Sequence, residues 1–165
     1  MRIAVLGPLE VTRNDSAPVD VPGPRERMLL GVLAAAAPAS VPESRLVETL
    51  DLDGVETLRE HVRRLRGALE PGLPERSSGQ YVLHRGAGYA LAVARSDVDA
   101  SRFTDLVAHG SAELAAGDAA DAVRLLGTAL ALWRGDPYGD WPGAPFAEAE
   151  RRRRPAPRNR GRRDR

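Results

Sequence analysis

ETLREHVRRLRGALEPG, residues Glu56–Gly72, sets four arginines and a histidine on a regular ladder of Leu and Val. Stepped at about 100° per residue, Leu58, Val62, Leu65 and Leu69 fall within about 60° of one another. The spacing predicts a helix with one core-facing stripe, ended by Pro71-Gly72. Glu60, Arg63, Arg64 and Gly67 fall on the opposite side, Arg59 and Arg66 share one flank, and His61 takes the other. Two readings fit that outer face. It is a solvated surface, or it lies in the major groove of DNA. There Arg can read guanine bidentately, Glu can accept from cytosine N4, and flanking arginines can hold phosphates. The helix alone leaves both open.

The neighbouring segments narrow the choice. Downstream, QYVLHRGAGYALAV (Gln80–Val93) places two short strand-like runs around Gly86-Ala87-Gly88 and predicts a β-hairpin with Arg85 just before its tip. Upstream, SVPESRLVETL (Ser40–Leu50) predicts a second helix with Leu46, Val47 and Leu50 inward, and Ser40 with Glu43 has capping-box spacing. GPRERMLLGVLAAAA (Gly23–Ala37) predicts a first helix. Pro24 fits its first turn, and Met28, Leu29, Val32 and Leu33 form its apolar stripe. Before it, Arg2–Leu6, Leu9–Thr12 and Pro18–Val21 read as a small antiparallel sheet. Strands, three helices and a hairpin, in that order, make a winged helix-turn-helix domain over residues 1–95. Arg85 then stands where a wing reaches the minor groove or the backbone beside it.

Past a linker-like stretch at residues 96–99, Ala100–Trp133 predicts two helices separated by Gly117-Asp118. Gly110, Ala122 and Leu126 have the small-small-apolar spacing with which tetratricopeptide helices cross, and Phe103 and Leu106 complete the first helix. Arg134–Phe146 is a Pro/Gly-rich connector, and a short helix is expected to begin at Ala144–Phe146. Trp133 and Trp141 read as packing residues. From Arg151 onward almost nothing is apolar, so residues 151–165 are expected to be disordered. The fold class expected is therefore α+β: a winged helix (1–95), an α-helical tetratricopeptide-like segment (96–150) and a disordered Arg-rich tail (151–165).

Composition bounds the chemistry. The 165 residues are 42% hydrophobic but only 4% aromatic, so Leu, Val and Ala must build the core. All 24 basic residues are Arg, and there is no Cys, hence no disulfide and no thiolate metal site. Residues 1–95 are electrically neutral, 96–150 carry −7 and 151–165 carry +8, giving +1 for the chain. Any DNA-facing surface in the first part must therefore arise by local clustering. His61, His84 and His109 are dispersed, no Ser has a nucleophile-elbow context, and GPRERM lacks a phosphate-loop Lys. No enzyme activity, cofactor or metal is expected. The N-terminus is neither a signal peptide nor a membrane span, so no membrane partner and a cytoplasmic location are expected.

TLREHVRRLRGALEPG followed by HRGAGYAL resembles the OmpR/PhoB-type winged helix, whose recognition helix precedes an R-G-x-G-Y wing. MRIAVLGPLEV, GPRERMLLGVLAAAA and DLVAHGSAELAAGDAADAVRLLGTALALWRGDP narrow this. Together they resemble the Streptomyces antibiotic regulatory protein (SARP) family, in which a winged helix is joined to a bacterial transcriptional activation domain of tetratricopeptide type. The resemblance covers residues 1–150 and implies a pathway-specific activator of antibiotic biosynthesis. It implies DNA-contacting roles for Thr57, Arg59, Glu60, Arg63, Arg64, Arg66 and Arg85. Glu60 and Arg64 would meet base edges, Thr57, Arg59, Arg63 and Arg66 would contact phosphates or orient the helix, and Arg85 would serve the wing. As partners it implies double-stranded DNA with direct repeats, protomers side by side as homo- or hetero-oligomers, and RNA polymerase.

Two features depart from the family. Its members carry a longer Trp- and Pro-containing loop between the second and third helices, associated with polymerase contact, where this chain has only Asp51-Leu52-Asp53-Gly54. They also carry several helical repeats, whereas one helix pair is visible here and about three repeats are usually needed to bury a solenoid core. A truncated member is expected. The competing function is a protein-interaction module that pairs with a full-length regulator and has little DNA activity of its own.

Overall fold

The computed structural model describes residues 1–15, 17–74 and 77–154. The chain opens on β1 (Arg2–Ala4) and β2 (Glu10–Thr12), antiparallel with Ile3 opposite Val11. The expected third strand at Pro18–Val21 shrinks to a bridge between Pro18 and Thr12, flanked by hydrogen bonds from Val19 N–H to Val11 O (2.9 Å) and from Arg13 N–H to Ala17 O (2.8 Å). Helix α1 (Pro24–Ala36) starts on its proline as expected. It is buried on more than the anticipated stripe: Leu30, Gly31, Ala34 and even Glu26 are covered, while Met28 is only partly so.

Helix α2 (Glu43–Leu50) follows β3 (Val41–Pro42), a two-residue strand that the sequence did not suggest. The capping-box reading of Ser40 fails. The helix begins at Glu43 itself with Pro42 in the cap position and no side-chain cap, because residues 41–42 are taken up by a sheet. Asp51 in the left-handed region ends α2, and α3 (Val55–Leu69) begins after Gly54. The stripe on α3 is as predicted, with Leu58, Val62, Leu65 and Leu69 each at most 2% exposed. Full burial of such side chains contributes roughly 1.5–3 kcal/mol apiece.

The hairpin follows as β4 (Val82–Arg85) and β5 (Gly88–Leu91), with β5 central between β3 and β4. Arg85 faces Gly88 across a two-residue turn, and Gly86 takes φ +60°, the left-handed value that a primed turn led by glycine requires. Gly88 has a different constraint. A Cβ there would collide with the Val41 carbonyl, so β3 can approach β5 only because this residue has no side chain.

A 3₁₀ turn (Arg95–Asp97) leads into α4 (Asp99–Ala116) and α5 (Ala119–Leu130). Gly117 caps α4 in the left-handed region, and the Asp118 carboxylate accepts the Asp121 N–H at 3.0 Å to start α5. The expected crossing is present: a Cβ on Gly110 would lie 2.9 Å from Leu126 Cγ. Helix α6 (Pro145–Arg153) closes the described chain. Disorder from Arg151 is therefore corrected for its first residues. Arg151 donates to the carbonyls of Pro137 (3.0 Å) and Tyr138 (3.0 Å), and Glu150 pairs with Arg153 and Arg154, so the charges themselves anchor α6. Residues 155–165 of that expected tail lie outside the described residues.

The span 96–99 is no free tether. Asp99 is buried at the start of α4, where its carboxylate accepts the N–H groups of Val5 (2.8 Å) and Leu6 (3.0 Å). Burial pushes its carboxyl above the usual range, against the pull of those two donors. Arg134 N–H donates to Leu6 O at 2.8 Å and Tyr138 N–H to Val5 O at 2.7 Å, so the connector runs along the segment after β1. Arg27 pairs with Asp140 at 2.6 Å and Arg134 with Glu10 at 2.5 Å. Trp141 covers Gly31 of α1, where a Cβ would sit 2.5 Å from its ring. Trp133 meets Phe103 edge-to-face at 5.2 Å. Both tryptophans pack, as expected, and one core cluster runs from Met1 to Ala147.

Candidate nucleic-acid interface

With its leucine stripe buried, α3 turns Arg63 and Arg64 to solvent beside a half-exposed Glu60. Glu60 organises this face. Its carboxylate accepts from Arg63 Nε (3.0 Å) and Nη2 (2.7 Å) in a fork, and from Arg64 Nε (3.1 Å). The hydrogen bond from Arg63 is the main cause holding the Glu60 carboxyl below its usual range, with Arg64 adding to it. The three groups thus form a charged triad with one net positive charge, at the i, i+3 and i, i+4 spacings a helix brings together.

The flank residues have other partners. Arg59, about half exposed, pairs with Glu56 at 2.7 Å and lies 3.6 Å from Glu43 at the start of α2. Arg66 turns inward. Its Nε and Nη2 both donate to the Val82 carbonyl, at 2.9 and 2.7 Å, and its guanidinium lies over the Tyr89 ring at 5.9 Å. It ties α3 to the hairpin, the orienting alternative of the two roles the resemblance implies. Thr57 is partly buried in the first turn of α3, and Arg85 is exposed beside the hairpin turn.

Three side chains escaped the sequence reading. Glu26 is only 4% exposed, and its Oε1 meets His61 Nδ1 at 2.9 Å and Arg64 Nη1 at 3.8 Å. It reaches the outer face of α3 from the underlying helix. Glu43 lies between Arg59 and His84, with His84 Nε2 3.7 Å from its Oε1, and its backbone N–H donates to Ala87 O at 2.9 Å. Tyr89 stacks edge-on against His84 at 5.1 Å. Burial first, and then the Glu43 charge, push the Tyr89 hydroxyl above its usual range. No local pattern points to these contacts of Glu26 and Glu43, because their partners lie on other elements; the capping-box spacing of Glu43 points to a different role.

The α/β unit, with a charged helix beside a hairpin, is joined to a helical hairpin. Residues 98–164 match the bacterial transcriptional activator domain, running past the composition break at Arg151. The chain is 36% identical over 143 residues to the transcriptional regulator RedD of Streptomyces coelicolor, covering 82% of this chain and 39% of RedD. It is 30% identical over 156 residues to the regulatory protein AfsR of the same organism, covering 92% of this chain and 15% of AfsR. A solved structure of Mycobacterium tuberculosis EmbR in complex with a low affinity phosphopeptide matches with a TM-score of 0.78. Its identity is 28%, over 90% of this chain and 40% of EmbR. In sequence and fold the chain is similar to transcriptional regulators of the SARP type, and residues 98–164 match their activator domain. It spans well under half the length of these relatives. No described helix is long and apolar enough to cross a membrane.

Proposed function

We propose that residues 1–95 act as a winged-helix DNA reader, with α3 in the major groove and the β4–β5 turn at the adjoining minor groove. The protein would serve as a pathway-specific activator of antibiotic biosynthetic genes. The observation that carries the reading is the sidedness of α3: four apolar side chains fully inward, and Glu60, Arg63 and Arg64 outward in one hydrogen-bonded group. Glu60 and Arg64 are assigned to base edges, Arg59 and Arg63 to phosphates, and Arg66 to orientation of the hairpin. Direct-repeat operators and side-by-side protomers are part of this proposal. Polymerase contact through residues 51–54 is left out of it, because that connector is only Asp51–Gly54.

The test is a gel-shift titration of the full chain against DNA upstream of neighbouring genes, with competitor DNA and at two salt concentrations. Arg64→Ala is expected to cost about 1–3 kcal/mol and to relax preference at one base pair. An equal loss on every sequence would remove the base-reading role. A second reading, an interaction module, is favoured by one observation: Leu114, Val123 and Leu130 of the helical hairpin are 59%, 71% and 55% exposed. A chain that stays monomeric in size-exclusion chromatography while binding specific DNA argues against it.

A further inference from the structure

Glu43 is the first residue of α2, yet its side chain lies between the other two elements of the proposed interface. One carboxylate oxygen, Oε1, is 3.6 Å from Arg59 Nε on α3 and 3.7 Å from His84 Nε2 on β4. That oxygen is buried and has no hydrogen-bond partner among the described residues. The same residue's N–H holds the hairpin turn through Ala87 O. A carboxylate beside a DNA-facing surface repels phosphate, so on electrostatic grounds alone it is misplaced. Its geometry has another use. Both basic neighbours, Arg59 and His84, approach a single oxygen whose position is set by the first turn of a helix, and so they are fixed relative to each other.

We infer that Glu43 is a positioning residue that locks the hairpin to α3, fixing the angle at which the two reach DNA. Its main effect is then on discrimination between sequences rather than on total affinity. Titratable and charged groups face it from each packed element: Arg59 with Glu56 behind it from α3, His84 from β4, and Tyr89, itself covered by Arg66, from β5. The functional half of the inference rests on the DNA-reading proposal. The coupling half does not.

The experiment compares the full chain with Glu43→Gln, Arg59→Gln and the double variant. Gln keeps the length of Glu43 and its backbone bond but removes the charge. Amide exchange of residues 84–88, measured without DNA, is expected to quicken about fivefold in each single variant and no further in the double, as for directly coupled neighbours. With DNA, Glu43→Gln is expected to raise non-specific affinity while the ratio of target to competitor binding falls about fivefold. A merely structural defect would lower both affinities together. Unchanged exchange at 84–88 in both single variants overturns the coupling, and an unchanged ratio overturns its role in discrimination. If the parent chain does not distinguish target from competitor, the DNA-reading proposal fails while the exchange data still decide the coupling. Should Glu43→Gln not fold, exchange at 84–88 in Arg59→Gln still decides the coupling, and Glu43→Asp, which keeps the charge but draws it back from both partners, carries the DNA comparison.

Discussion

Under the DNA-reading proposal, Glu60 would restrain a surface as well as read with it. Forked to Arg63 and bonded to Arg64, it occupies donors that DNA phosphates would otherwise draw. Glu60→Gln is expected to raise non-specific affinity and to steepen the salt dependence, by about one unit in log–log slope for each additional phosphate neutralised. A slope equal to the parent's would mean that Arg63 and Arg64 do not meet phosphate. The pH sign also follows. Its folded pKa is depressed, so the ionised triad is present at neutral pH and is lost only as pH falls through that depressed value. Binding measured between pH 8 and pH 6 should owe no change to this group. Arg66 makes the opposite kind of prediction. Arg66→Met strips the Val82 carbonyl of two donors and is expected to destabilise the fold by about 1–3 kcal/mol in urea titration. Unchanged stability with a shallower salt slope would instead make it a phosphate contact.

At the scale of elements, legibility in the sequence followed the range of the interaction. The stripe on α3 was plain because Leu58, Val62, Leu65 and Leu69 obey a local period, and the turn was plain because Gly86 has a φ that few other residues take up. Gly110 against Leu126 could be read because a repeat family fixes that spacing. Strand β3 could not, since two residues carry no period and pairing depends on Gly88, far along the chain. The contacts of Glu26 with His61 and of Glu43 with His84 join residues more than thirty positions apart. Arg151 misled for a related reason: a run of arginines reads as solvated until one sees the carbonyls of the connector waiting for it. Leu65→Ala, which opens the α3 stripe at a fully buried point, is expected to cost about 2–5 kcal/mol, read as a lower unfolding midpoint.

For the whole molecule, the seam between the two halves governs behaviour. Asp99 fastens α4 to the end of β1, the connector hydrogen-bonds alongside, and Trp141 roofs α1 over Gly31. Trp141→Ala is expected to cost about 3–5 kcal/mol, and the loss should appear in a single unfolding transition seen equally by probes in both halves. Two separate transitions would show that the halves melt independently. A fragment ending at residue 95 leaves one side of α1 uncovered and is expected to unfold at lower denaturant than the full chain.

That seam also bears on inheritance. A crossover in the gene near codon 95 looks convenient, because it falls between two recognisable units. It would nevertheless hand α1 a foreign roof and leave Val5 and Leu6 facing a stranger's connector. Chimaeras assembled at that point should fold poorly unless Gly31, the residues after β1 and the Trp141 connector travel together. The heritable unit is the fitted pair, and swapping C-terminal halves among relatives requires changing both sides of the joint at once.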